Sequence, residues 1–156
     1  MASVLALDYS MYLWHRALHR VSALWRFHSV HHADVDLDAS TALRFHVGEL
    51  AASLPFRCAQ VSLLGVSANV ALGYEVAMQV AAIFHHSNTR LPVALEQWVG
   101  LVVVTPRMHG LHHSIETREL HSNWSVIFSI WDRLHGTHRF RRTQPTIGLT
   151  AENDPR

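Results

Sequence analysis

Apolar residues recur at helical spacing along most of this 156-residue chain, and polar or helix-breaking words divide the pattern into elements. From Ser3 to His32 the pattern predicts helix, with no proline or glycine to interrupt it. The acids that alternate through Ala33–Ser40 cannot lie in an apolar layer and predict a surface loop. Ser40 or Thr41 can cap a following helix that carries Arg44, His46 and Glu49, and Pro55 predicts a turn between that helix and the next. Val61–Phe84 then reads as one long apolar helix, and polarity returns abruptly at His85-His86-Ser87-Asn88. Pro92 opens a short helix, Thr105-Pro106 breaks the chain again, and a mixed stretch runs from Glu116 to Phe140. No repeat of fixed period occurs. The pattern predicts an all-α fold in one domain, residues 1–140, followed by a polar tail, 141–156.

Composition narrows the partners. With 49% hydrophobic residues the chain can build one core. Its net charge is +1, and its thirteen basic residues are all arginines scattered among acids, so nucleic acid is not the expected partner. Cys58 is the only cysteine, which excludes an internal disulfide and any Cys-x-x-Cys site. Val61–Phe84 has the length of a bilayer-spanning helix, yet Asn69, Glu75 and Gln79 interrupt it. It therefore reads either as a buried helix or as a span whose polar face looks into protein. Ala2–Trp14 and Val93–Val104 are apolar but too short to span, and Asp8 together with the absence of a basic leader speaks against a secretory peptide. The expectation is a membrane-embedded or membrane-seated chain with a polar, histidine-lined end.

The histidines carry the chemistry. Fourteen are present, and eight fall into three short words, His15-x-x-x-His19, His28-x-x-His31-His32 and His109-x-x-His112-His113, with His85-His86 between the second and third. Positions i and i+4 share a helix face, and neutral imidazole ligates transition metals near pH 7. An isolated pair of this kind is usually a core or surface feature, but the joint occurrence points to metal. One zinc takes three or four protein ligands, so the number of candidates fits two ions better than one. Neither His-Glu-x-x-His nor the Glu-x-x-His word of soluble di-iron bundles is present.

In this order the three words resemble the histidine boxes of the fatty acid hydroxylase and sterol desaturase superfamily of membrane non-haem di-iron oxygenases. Tyr12-Leu-Trp-His15-Arg16, Leu24-Trp-Arg-Phe-His28, Thr41-Ala-Leu-Arg-Phe-His46, His86-Ser-Asn88, Thr105-Pro-Arg-Met-His109 and Ile130-Trp-Asp-Arg-Leu134 extend the resemblance across Asp8–Phe140. It implies a membrane-embedded helical bundle with a di-metal site at its cytoplasmic end. The implied iron ligands are His15, His19, His28, His31, His32, His86, His109, His112 and His113. His46, in a His46-Val-Gly-Glu49 word that lacks the family's proline, and Asn88 are expected beside the ligands, while His85 stands next to one. His121, His135 and His138 fall outside the boxes, and Trp131-Asp132 is expected to pack and hydrogen-bond.

The implied activity is hydroxylation, or desaturation, of a C–H bond in a lipid such as a sterol or fatty acyl chain, with two irons and dioxygen. No nucleotide fingerprint, haem word or cysteine cluster is present, so electrons must come from a separate cytochrome b5-like protein, ferredoxin or reductase. Arg16, Arg20, Arg26, Arg90 and Arg107 accompany the boxes and bias that end toward the cytoplasm. Family members carry membrane helices before the first box, whereas His15 comes early here, as in a truncated or minimal member. A non-catalytic metal-binding fragment and a zinc hydrolase are the rival expectations.

Overall fold

In the computed structural model, which describes residues 1–150, the first helix α1 (Ala2–Arg20) ends at Val21, whose extended backbone (φ −99°, ψ 111°) turns the chain into α2 (Ser22–His32). The uninterrupted helix expected over Ser3–His32 is therefore two. The reason is geometric: on one straight helix His19 and His28 would stand about 13 Å apart along the axis. Folded back at Val21, α1 packs on α2 and the two rings come within 4.9 Å of each other.

A tight 3-10 turn (Ala39–Leu43) follows the acidic loop, and Asp38, not Ser40 or Thr41, caps it: its carboxylate accepts from the Ser40 N–H, and Thr41 closes a capping box. Helix α3 (Val47–Leu63) starts only after His46, which is its N-cap. Pro55 lies inside α3 instead of ending it. The lost backbone bond falls on the exposed face, and contacts on both sides of it hold the helix together. Glu49 meets His28 before the proline; Phe56 stacks on Trp14 (centroids 4.5 Å) and Gln60 donates to the Leu7 carbonyl (2.9 Å) after it.

The turn that Pro55 was expected to make is made by Gly65. Its left-handed backbone (φ 60°) closes α3 with paired bonds, Val66 N–H to the Val61 carbonyl and Gly65 N–H to the Ser62 carbonyl. The expected helix over Val61–Phe84 is thereby cut, and α4 runs Ala68–His86. Among the described residues no helix is long and apolar enough to cross a membrane. Instead the α3–α4 hairpin exposes Leu50, Leu54, Leu63, Leu72, Val76, Val80 and Ile83 on its outer side.

The remaining helices are short: α5 (Val93–Val99), α6 (Pro106–His112), α7 (Thr117–Leu120) and α8 (Ile130–Leu134). Thr105 caps α6 by accepting from Met108 N–H, and Pro106 opens its first turn. Beyond Phe140 the chain pairs back on α6 and the turn after it. Ile115 N–H donates to the Thr146 carbonyl and Gly148 N–H to that of His113, while the last residues of the expected tail, 151–156, lie outside the described residues. No strand forms among the described residues beyond two isolated bridges.

Leu7, Tyr74 and Ile127 form the apolar core, with Met11, Met78 and Phe128 around them. Buried at its edge, the carboxylate of Asp8 accepts from Tyr74 Oη (3.0 Å), Ile127 N–H (3.3 Å), Phe128 N–H (3.1 Å) and Trp131 Nε1 (2.7 Å). One side chain thus ties α1 to α4, to α8 and to the loop before it. Asp8→Asn would set an amide NH2 against donors and is expected to cost about 3 kcal/mol, measured by chemical denaturation.

Candidate metal centre

Nine buried histidines meet where α1, α2, α4 and α6 converge, and they form two sets. His15, His19, His28, His32 and His112 each offer a ring nitrogen, all within 4.8 Å of one another; His31, His86, His109 and His113 do the same. The helix period produces this division. In the second box the i, i+4 pair His28/His32 enters the first set and the intervening His31 the other. In the third box the assignment is reversed: His109/His113 enter the second set and His112 the first. Helices α2 and α6 therefore each serve both sets, α1 serves only the first, and α4 only the second.

Acceptors outside the cluster orient the rings. The Nδ1–H of His15 donates to the Trp124 carbonyl (2.9 Å), that of His31 to Arg44 (3.2 Å), that of His86 to Ala82 (2.7 Å) and that of His112 to Ser122 (2.8 Å). His28 Nδ1 donates to the Glu49 carboxylate (3.0 Å). Each such bond puts the proton on Nδ1 and turns the Nε2 lone pair inward. Nε2 of His28 and His112 and both nitrogens of His19 and His32 are buried without a protein partner, and so is Nδ1 of His109 and of His113, whose Nε2 atoms are the ones that face the other rings.

One contact tests whether a cation fits. His31 and His86 are both held as Nδ1–H tautomers, yet their Nε2 atoms face each other at 3.0 Å, lone pair to lone pair. No hydrogen bond can join them without an added proton, and burial opposes that proton. A metal ion between them removes the conflict. Nε2 of His109 stands 2.9 Å from that of His86 and 3.1 Å from that of His113, the spacing of nitrogens that share one ion at about 2.1 Å and roughly a right angle.

Burial dominates the protonation of the cluster. Desolvation, reinforced by the other imidazoles, lowers His15 to about 3, and desolvation lowers His86 to about 4. The same cause holds His19, His31, His32, His109, His112 and His113 well below the ordinary histidine value. At neutral pH these rings are uncharged, which is the form that ligates.

The other expected site residues fall elsewhere. His46 is no neighbour of the rings: its Nδ1 accepts from Gly48 N–H (2.9 Å) and it stacks on Phe27 (5.0 Å). Asn88 is exposed beyond the end of α4, with no hydrogen bond to a histidine among the described residues, because α4 stops at His86 and the chain turns outward. His85 is buried against His109 (centroids 4.1 Å) but belongs to neither set, and the Val126 backbone holds its ring. His121 and His138 are half-buried and His135 exposed, none in a set.

Two groups that position the rings were not singled out from the sequence for that role. Glu49 lies in the first turn of α3, and its partner His28 lies on α2, twenty-one residues earlier. The Ser122–Ser125 loop supplies the carbonyls that hold His112 and His15. Asn123, at φ 51°, shapes that loop by binding the Met108 carbonyl (2.8 Å) and the backbone of Arg139. Asp132 fixes it further, accepting the N–H groups of Trp124 and Ser125 at 2.9 Å each, which agrees with the hydrogen-bonding role expected for Trp131-Asp132.

A cleft of about 330 Å³ leads to the cluster between α1, α3 and α4. His15, His28, His31, His85, His86 and His109 line its inner end, and Met11, Trp14, Leu18, Phe45, Leu50 and Met78 give it apolar walls.

Comparison with known proteins adds lineage to this geometry. The chain is 30% identical over 147 residues to an ornithine lipid hydroxylase of Rhizobium tropici, covering 93% of this chain and 44% of the relative. It is 26% identical to human alkylglycerol monooxygenase (96% and 32%) and 30% identical to human cholesterol 25-hydroxylase (87% and 49%). The chain thus spans less than half the length of each of these relatives. No solved structure matches. The fatty acid hydroxylase family model matches residues 1–137, a range that takes in all nine clustered histidines, and the chain belongs to the fatty acid hydroxylase family.

Proposed function

We propose that this chain hydroxylates a C–H bond of a membrane lipid at a pair of irons held by its two histidine sets, with dioxygen as co-substrate. The observation that carries the reading is the pair of adjacent imidazole sets, in each of which one ring nitrogen per histidine converges on the others. Nine donors exceed what one zinc uses, and near-right-angle spacing suits an octahedral ion better than a tetrahedral one. That the relatives include an ornithine lipid hydroxylase, an alkylglycerol monooxygenase and a cholesterol 25-hydroxylase supports a lipid as the substrate class.

In this reading His15, His19, His28, His32 and His112 hold one iron and His31, His86, His109 and His113 the other. Bound there, the irons supply activation of dioxygen and the oxidising power for an unactivated C–H bond. The protein's own part is orientation and exclusion. Glu49 and the carbonyls of Trp124, Arg44, Ala82 and Ser122 fix the rings in place. The apolar walls of the cleft admit a hydrocarbon and keep water from the cluster.

Electrons enter from a separate donor, of the cytochrome b5, ferredoxin or reductase kind. The exposed apolar side of the α3–α4 hairpin sits in the lipid, which sets the cleft mouth beside the acyl layer. The histidine end then faces the cytoplasm, in keeping with Arg16, Arg20, Arg26 and Arg90; Arg107 is buried against Glu96 (2.8 Å) and bears no information on side.

Metal analysis and oxygen uptake test the reading together. About two irons per chain, with lipid-dependent dioxygen consumption, is the expected result. Zinc alone accompanied by ester hydrolysis would overturn it in favour of a hydrolase, and iron without oxygen uptake would leave a metal-binding fragment.

A further inference from the structure

A row of oxidisable aromatic rings runs outward from the first histidine set. Buried Trp124 presents its backbone carbonyl to His15 Nδ1 (2.9 Å) and its ring to His19 (centroids 6.5 Å). Tyr12, also buried, meets the Trp124 ring edge-on at 6.4 Å. Tyr9 shares a face of α1 with Tyr12 and lies parallel to it at 6.2 Å, and Trp131 packs on Tyr9 at 4.9 Å. The ring of His135 stacks on both tyrosines, at 5.7 Å from Tyr9 and 5.0 Å from Tyr12. His135 is exposed, so the row that begins at two histidines of the set ends at the surface.

A phenol gives up an electron readily when its proton leaves with it, and each tyrosine has a place to put that proton. Thr137 Oγ1 carries one hydrogen and donates it to the Asp132 carboxylate (2.7 Å), so the Tyr12 hydroxyl, 3.2 Å away, is the donor to Thr137. Tyr9 Oη stands 3.1 Å from Nε2 of His135. Closed-shell tyrosine and tryptophan accept no electron from a biological reductant; they yield one to a strong oxidant. The guanidinium groups of Arg16 and Arg20, each 5.5 Å from the centre of the Trp124 ring, raise that threshold, because positive charge opposes removal of an electron beside it. The row is therefore silent toward a resting centre and answers to an activated one.

We infer that Trp124, Tyr12 and Tyr9 form an escape path that quenches the activated centre when no lipid C–H bond is in reach, with a thiol in solution as the final reductant. This rests on the reading of the histidine sets as the oxidising centre. Trp124 gives one electron to the centre and regains it from Tyr12, whose proton passes to Thr137 as that of Thr137 passes to Asp132. Tyr9 then gives an electron to Tyr12, which recovers its proton along the same bonds, and the proton of Tyr9 goes to His135. A thiol restores Tyr9 by giving it a hydrogen atom, and His135 releases its proton to water. Two such passages join two thiols as a disulfide and deliver two electrons to the centre, and the two protons released to water balance the two taken up there.

Hydrogen peroxide added to the iron-loaded full chain in detergent, without lipid, drives the test, and a nitroso spin trap with peptide mass spectrometry locates the radical. The adduct is expected on Tyr9 or on Trp131 beside it, and added thiol is expected to suppress it. Tyr12→Phe keeps the ring and removes the redox step, so the adduct at these residues should be lost while iron content and lipid hydroxylation stay at the wild-type level. If Tyr12→Phe does not fold, Tyr9→Phe, at the outer end of the row, carries the test. There the tyrosyl signal in electron paramagnetic resonance should persist on buried Tyr12, out of reach of the thiol. A Tyr9 adduct unchanged in folded Tyr12→Phe, an adduct on Trp25 (4.8 Å from His19) in its place, or thiol quenching unchanged in Tyr9→Phe overturns the inference. Iron content and lipid-dependent dioxygen uptake measured on the same wild-type sample keep the two readings apart. Should both be normal while no radical reaches Tyr9 or Trp131, only the escape path falls; should neither reach the expected level, the oxidising centre falls and the path with it.

Discussion

His112→Ala is expected to leave no more than one iron per chain and to abolish lipid hydroxylation. His112 is fully buried, and its ring lies 4.5 Å from that of His15, 4.6 Å from His19 and 4.8 Å from His32. It is the one member of the five-histidine set contributed by α6, so its loss opens the wall between α1 and α2 on one side and α6 on the other. The Ser122 carbonyl that orients it would be left without its donor. Removing groups that only orient a ligand commonly costs 10–100-fold in metal affinity or activity, and removing the ligand costs more, so a loss above about 100-fold is expected. His121→Ala is the matched control. His121 lies 5.9 Å from His19, half-buried and outside both sets, and its replacement should leave iron and turnover near wild type. Metal analysis and product formation on both folded variants decide the matter. Two irons and full turnover in His112→Ala would exclude His112 as a ligand.

What could be read from the sequence was whatever a single helix determines. His15/His19, His28/His32 and His109/His113 share faces because the helix repeats every 3.6 residues, and the structure brings all six into the two sets. How separate helices meet is a different matter. The reversal at Val21 leaves no proline or glycine as a mark, since it follows from the packing of α1 on α2. Pro55 pointed to a break that tertiary contacts override, while Gly65, whose φ of 60° does make the turn, lay inside an apolar run that drew attention to hydropathy instead. Asp8 and Glu49 were likewise visible as residues and invisible as partners. Asp8 collects donors up to residue 131 and Glu49 reaches His28 across two helices, pairings that no local period encodes. Asn88, two residues past His86, lies exposed beyond the end of α4, where proximity in sequence no longer implies a shared helix face.

Acid is expected to unfold the metal-free chain within about one pH unit below 6.5, well above the range where most carboxylates titrate. Nine histidines, His15, His19, His31, His32, His85, His86, His109, His112 and His113, have folded-state values lowered by burial, His15 to about 3 and His86 to about 4. In the unfolded chain each returns to about 6.5, so below that pH the unfolded state binds more protons and stability falls as pH falls. Each group contributes up to about 1.4 kcal/mol per pH unit over this window, and together they remove roughly 10 kcal/mol by pH 5.5. That equals the whole stability of an ordinary domain, about 5–15 kcal/mol. Iron should shift the transition to lower pH, because an ion bound to the neutral rings must be displaced before protons can enter. Circular dichroism across a pH titration, with and without ferrous iron under anaerobic conditions, measures both effects. A metal-free chain still folded at pH 5 would mean that the rings are far less buried than the packing of α1, α2, α4 and α6 requires. Coincident acid transitions with and without iron would mean that iron does not bind them.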